Sequence, residues 1–230
     1  MVIIECQQGD DKWWLERRGI PTGSEFDRIV TSKKGEYAAA AKGYIAKLIA
    51  DRLDPYYEFR RDEYQTAAMR NGTIMEPRIR KLYEFERMLS VKQVGFCLTD
   101  DRRIGCSPDS LVGDDGVLEI KSPQPQTQIR YLLDGILPNE YKCQCHGHLI
   151  VTGRKWCDFM SYCNGLPDFV VRIEPDEFTD RMREVIAMFL AEYDAAWSKI
   201  ESMIPPPPPP VIKDYGRLGT VEQPQYVIAF

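Results

Sequence analysis

Apolar residues recur every third or fourth position along some stretches of this chain and every second position along others, and the change of period separates helical from extended segments. Trp13, Trp14 and Arg17 stand at helical spacing within residues 11–18. Thr22-Gly-Ser-Glu25 has the form of a capping box and predicts a helix running through Phe26 and Ile29-Val30. A further helix is expected over residues 36–53, with Tyr44, Leu48 and Ile49 turned inward, and another over 73–88, with Ile79, Leu82 and Tyr83 as its apolar stripe. Thr73-Ile-Met-Glu76 is a second capping-box pattern, which places Pro77 in a first turn, where its missing N–H is tolerated. Strand-forming runs follow at 91–98, 102–106, 110–112 and 117–121. Helices return at 126–133 and 139–152, the latter stopped by Gly153, then strands at 155–163 and 169–173 and a last helix at 176–202. Helices, a strand meander, helices, two strands and a helix predict an α/β fold, a small mixed sheet flanked by helices.

Six consecutive prolines, Pro205 to Pro210, cannot continue a helix and predict a polyproline II spacer of about 19 Å, at about 3.1 Å per residue. The chain is therefore expected to consist of one domain over 1–204, the spacer at 205–210 and a tail at 211–230. The tail ends Tyr226-Val-Ile-Ala-Phe230, apolar enough to gain by docking on another surface. At 230 residues and 43% hydrophobic, the chain is long enough for one well-buried core. No apolar run is long enough to span a bilayer, and Glu5, Asp10 and Asp11 are foreign to a signal peptide, so a soluble cytoplasmic protein without a membrane partner is expected. Seven cysteines at irregular spacing predict free thiols in a reducing compartment.

Candidate chemistry concentrates in Cys106-Ser-Pro-Asp-Ser-Leu-Val-Gly-Asp-Asp-Gly-Val-Leu-Glu-Ile-Lys121. Asp114-Asp115-Gly116 marks the turn of a hairpin. Alternation along its second strand sends Val117, Glu119 and Lys121 to one face and Leu118 and Ile120 to the other. Counting back across the turn sets Asp109 opposite Glu119. Two carboxylates beside one lysine suit a hard divalent cation such as Mg²⁺, with Lys121 at the attacking water. Pro108-Asp109 followed by Glu119-Ile-Lys121 has the pattern of the nuclease signature Pro-Asp…(Asp/Glu)-x-Lys. Thr22 as a helix cap would bring the Ser24 amide and hydroxyl into a first turn, where an anion is favoured and Arg17 can close on it. Glu76 and Gln144, taken alone, each have an ordinary explanation, a carboxylate returning to its cap and an amide satisfying a buried neighbour. Cys143, Cys145, His146 and His148 invite a zinc reading, but at about 100° per residue they divide between opposite sides of a helix. No Gly-x-Ser-x-Gly and no Walker loop is present. The net charge of −5 limits nucleic-acid binding to local basic groups, candidates being Arg17-Arg18, Lys33-Lys34, Arg60-Arg61, residues 78–81 and Arg102-Arg103.

Taken together these segments resemble the phage lambda exonuclease family of YqaJ-like viral recombinases, within the restriction-endonuclease-like PD-(D/E)xK superfamily. The resemblance covers most of residues 8–200. It rests on Gln8-Gly-Asp-Asp-Lys-Trp13, Arg17-Arg-Gly-Ile-Pro-Thr-Gly-Ser24-Glu25, Asn71-Gly-Thr-Ile-Met-Glu76, Cys106-Ser-Pro-Asp109, Leu118-Glu119-Ile-Lys121 and Tyr141-Lys-Cys-Gln144, in that order. It implies a restriction-endonuclease-like core and Mg²⁺-dependent 5′-to-3′ digestion of one strand of duplex DNA to mononucleotides, leaving 3′ overhangs for recombination by single-strand annealing. It also implies two Mg²⁺ per active site with Mn²⁺ as a substitute, a homotrimer ring around DNA, a phage single-strand annealing protein as partner, and a phage-encoded protein in a bacterial host. By the same resemblance Asp109, Glu119, Glu76 and the Ile120 carbonyl hold metal, Lys121 serves the water, and Gln144 orients water or ligands. Arg17, Ser24, Thr22 and Ser107 hold the 5′-phosphate, and Lys33 adds a phosphate contact. An endonuclease of the same fold and a non-catalytic DNA-end-binding scaffold are the alternatives. The stretch 32–65, where an end-melting element would fall, aligns poorly, and the proline run and the tail have no counterpart. The tail is expected to pack on a neighbouring subunit.

Overall fold

A computed structural model describes residues 1–55, 57 and 67–205. The tail at 211–230 and the spacer beyond Pro205 lie outside those residues, as do 58–65 of the poorly aligned stretch. In chain order the elements are β1 (Val2–Ile4), α1 (Asp11–Arg17), a 3₁₀ helix (Gly23–Arg28), α2 (Ala41–Leu53), α3 (Ala67–Arg87), β2 (Val91–Lys92), β3 (Phe96–Leu98), β4 (Gly105–Cys106), β5 (Ser110–Val112), β6 (Gly116–Lys121), α4 (Pro125–Asp134), α5 (Asn139–Thr152), β7 (Trp156–Ser161), β8 (Phe169–Ile173) and α6 (Glu177–Glu201).

Two sheets organise them. The larger has the order β2-β5-β6-β7-β8 and the smaller β1-β3-β4. In the larger, β6 and β7 run parallel and the other pairs antiparallel. A parallel pair needs a crossover, and α4 and α5 supply it. The central strand β6 is covered on both faces. Val117 joins the core built with Cys143, Leu149 and Phe159, while Leu118 and Ile120 pack with Ile79, Tyr83 and Met160. This is an α/β fold with a small mixed sheet flanked by helices, a restriction-endonuclease-like core. No helix among the described residues is long and apolar enough to cross a membrane.

Several boundaries differ from the sequence pattern, each for a visible reason. Helix α3 already runs at Ala67, so Thr73 and Glu76 lie inside it and Pro77 is an interior proline. The capping box expected there does not open the helix. Thr22 does stand at the N-cap of the segment after it, but without a side-chain capping bond, because its hydroxyl accepts from Arg17. That segment is a 3₁₀ helix ending at Arg28, since Val30 pairs with Tyr37 in an isolated bridge. The same bridge holds residue 37 extended and delays α2 to Ala41. Residues 91–98 divide between the two sheets at Gly95, where a Cβ would stand 2.2 Å from the Cys6 carbonyl oxygen. Arg102, at φ 57°, sits in a turn closed by its amide on Thr99, so only Gly105 and Cys106 of the 102–106 run extend. Strand β1 was not expected.

Candidate active site

The hairpin register is the one that alternation predicts. Ser110 faces Leu118 and Val112 faces Gly116, so the next pair along is Asp109 with Glu119. Asp109 Oδ2 accepts from the Ile120 amide at 2.5 Å, which pins the acid across the strand end. Glu119 is 1% exposed, and its carboxylate is enclosed by donors. Oε1 accepts from Lys121 Nζ at 2.6 Å and Gln144 Nε2 at 2.7 Å, and Oε2 lies 2.7 Å from His148 Nε2. Lys121 also lies 5.0 Å from the Tyr141 ring centre. Glu76 comes within electrostatic reach of Glu119 and Lys121 but is paired with Arg80, one turn along α3. Arg80 in turn donates to Ser110 Oγ at 2.8 Å and to the Asp109 carbonyl at 3.3 Å.

Charge is unevenly shared across this cluster. Burial and the Glu119 carboxylate hold Asp109 well above the usual carboxylate range. Burial would raise Glu119 too, but the Lys121 ammonium and the His148 hydrogen bond outweigh it and bring Glu119 to about 2. Burial opposes the charge on Lys121, yet Glu119 and Asp109 outweigh it and raise Lys121. Glu76 is raised by burial against the pull of Arg80. Asp109 and Glu119 thus form a pair of carboxyl groups that cannot both ionise cheaply beside one ammonium, and a hard divalent cation would relieve that repulsion. Among the described residues, however, no three His, Cys, Asp or Glu side chains are disposed to hold a metal ion together. Asp109 and Glu119 fit such an ion; Glu76, turned to Arg80, does not join them as it stands.

A second group of predicted residues assembles beside the first. Arg17 donates to Ser107 Oγ and to Thr22 Oγ1, both at 3.2 Å, and Trp13 Nε1 donates to the same Ser107 hydroxyl at 2.8 Å. The guanidinium lies 4.1 Å from the Trp13 ring centre and burial lowers its pKa, a cation held by hydroxyls and an aromatic face. Gly147 sets the 3₁₀ helix that follows Thr22 against α5. A Cβ on it would meet Phe26 at 2.5 Å, so the absence of a side chain lets α5 lie directly on the 3₁₀ helix. Ser24 is exposed on that helix. Lys33 is exposed elsewhere, in a cleft of about 610 Å³ shared with Lys34, Glu36, Arg181 and Glu184. The residues that sequence reasoning missed are Trp13, Arg80 and His148. Spacing did signal one of them, since His148 follows Gln144 by four residues on α5 and shares its face. His146 instead meets Thr179 Oγ1 at 2.8 Å.

A model of the YqaJ-like viral recombinase domain matches residues 12–155. The fold resembles the crystal structure of LHK-Exo in complex with dAMP, with 34% identity and a TM-score of 0.72 over 84% of this chain and 97% of that one. It also resembles an alkaline exonuclease, LHK-Exo, from Laribacter hongkongensis, with 33% identity and a TM-score of 0.67 over 85% of this chain and 100% of that one. A phage-related exonuclease from Haemophilus somnus shares the fold at 14% identity and a TM-score of 0.57, over 79% of this chain and 96% of that one. No curated protein matches the chain.

Proposed function

Because the chain belongs to the YqaJ-like viral recombinase family, we propose that it is a Mg²⁺-dependent exonuclease that enters duplex DNA at a 5′-phosphorylated end and releases mononucleotides 5′ to 3′. The 3′ overhang so left is the substrate for recombination by single-strand annealing. The observation that carries this reading is the pairing of Asp109 with Glu119, the latter gripped by Lys121, Gln144 and His148, in a chain 34% identical to LHK-Exo. The dAMP bound to that relative is the kind of product that mononucleotide release would yield.

Asp109, Glu119 and the Ile120 carbonyl would hold the cation, with Mn²⁺ able to substitute. A cation there lends Lewis-acid stabilisation to the charge that builds on the phosphate oxygens. Lys121, whose neighbours keep it protonated, orients the attacking water as a charged donor rather than taking its proton. Gln144 keeps the Glu119 carboxylate turned toward the site. Glu76 serves as an additional acid once released from Arg80. Arg17, Ser107 and Thr22, with Ser24 nearby, grip the terminal phosphate, which places the first phosphodiester bond at the acid pair. A ring-shaped homotrimer around the duplex and an annealing protein as partner complete the proposal.

A closed circular duplex and the same molecule linearised test the reading together. The exonuclease degrades only the linear form, and only with Mg²⁺. Nicking of the circle would identify an endonuclease of this fold, and Mg²⁺-independent binding without strand loss would identify a DNA-end scaffold.

A further inference from the structure

Glu119 is held by three side chains of different character. Lys121 keeps 27% of its side chain exposed and Gln144 is half-buried, whereas His148 is 1% exposed. Gln144 and His148 lie one turn apart on α5, and they take opposite oxygens, Gln144 Nε2 at Oε1 and His148 Nε2 at Oε2, both at 2.7 Å. One helix face therefore grips the carboxylate at both ends and fixes the rotation of its plane.

The other side of the imidazole carries a cost. Nδ1 is buried without a hydrogen-bond partner. It faces Gly23, where a Cβ would stand 3.6 Å from Nδ1 and 3.3 Å from the Cys106 Cβ. The ring is wedged between Glu119 and the backbone that links Thr22 to Ser24. A leucine or phenylalanine would leave no ring nitrogen unpaired there, although it would take away the partner of Glu119 Oε2. The cost is offset only if the Nε2 contact matters.

We propose that His148 is a positioning residue, which orients the Glu119 carboxylate through Nε2 so that its free lone pairs face the cation. A carboxylate has about four acceptor sites, and three are used here by Lys121, Gln144 and His148, so orientation decides what remains for an ion. Hydrogen-bonded partners of ligating groups typically change metal affinity about 10–100-fold when removed. The inference rests on the cation reading of Asp109 and Glu119 given above.

Calorimetric titration of the full chain with Mn²⁺, without DNA, tests it. His148→Phe, which keeps a ring and loses the donor, should bind Mn²⁺ about 10–100-fold more weakly while keeping a folded circular-dichroism spectrum in the absence of metal. His148→Gln, which keeps a donor, should recover most of the affinity. Raised Mg²⁺ should restore cleavage by His148→Phe. Unchanged Mn²⁺ affinity in His148→Phe, or equal loss in both variants, would overturn the inference. Should His148→Phe not fold, His148→Leu is held to the same outcomes. Asp109→Asn separates the two levels of the reading. Binding lost there but kept in His148→Phe refutes the role of His148 alone, whereas an unmodified protein that binds no Mn²⁺ refutes the cation site and His148 with it.

Discussion

At the acid pair the proposed chemistry and the folding of the chain can be separated by substitution. Burial and Glu119 already favour a protonated Asp109, so Asp109→Asn keeps a neutral group and an acceptor for the Ile120 amide. Lys121→Ala removes the ammonium that offsets Glu119 and with it the proposed donor to the attacking water. Both variants should keep their circular-dichroism spectra while losing about 10²–10³-fold or more in cleavage rate, the scale of removing a preorganised charged donor. Near-normal turnover by either folded variant would remove these residues from the catalytic centre.

At the scale of elements, α5 is the hub, because it packs on the 3₁₀ helix through Gly147 and on α6 through His146. Gly147→Ala would gain up to about 1 kcal/mol of helix propensity but would drive a Cβ to 2.5 Å from Phe26, which is fully buried and cannot yield. Overpacking of that kind costs about 1–3 kcal/mol, so a net loss of stability is expected in urea denaturation. A variant as stable as the parent would mean that α5 and the 3₁₀ helix are not packed this closely. His146 makes the second joint. Burial drives its pKa down to about 4, with Lys142 in the same direction and Asp176 opposing. An unfolded histidine titrates near 6.5, so the folded chain binds this proton less tightly. The stability contribution is complete above about pH 6.5 and falls away as pH drops toward 4, by at most roughly 3 kcal/mol. His146→Gln should flatten that part of the stability profile, and identical slopes in parent and variant would show that His146 does not set it.

The same elements show what sequence can and cannot reveal. Residues 139–152 and 169–173 form α5 and β8 with the expected bounds, since Gly153 takes the left-handed conformation at φ 66° and β8 is a short run rich in β-branched residues. The 109–119 pairing was legible because turn residues and a period of two leave one register. Thr73-Ile-Met-Glu76 misled because a capping-box pattern inside a helix has the same letters as one at its start. Thr22 misled because its hydroxyl prefers a guanidinium five residues away over its own helix amides. His148 was visible as a metal-like residue on a helix and by its spacing from Gln144, but not by its partner. Its true partner, Glu119, is 29 residues away and is brought there by the crossover between β6 and β7.

For the whole molecule, a net charge of −5 would repel a polyanion if charge were uniform. On the proposed reading attraction is local instead, a terminal phosphate meeting Arg17 with Ser107 and Thr22 while Lys121 serves the acid pair, and such an arrangement would favour ends over internal sites. The direct measurement is digestion of a linear duplex with 5′-phosphates and a label on each 3′ end, followed in time with Mg²⁺ and with chelator. Early release of mononucleotides while the 3′ label stays on shortening strands, and no loss under chelator, is the expected result. Early release of the 3′ label, or equal digestion under chelator, would contradict a cation-dependent site that enters DNA at the 5′ end.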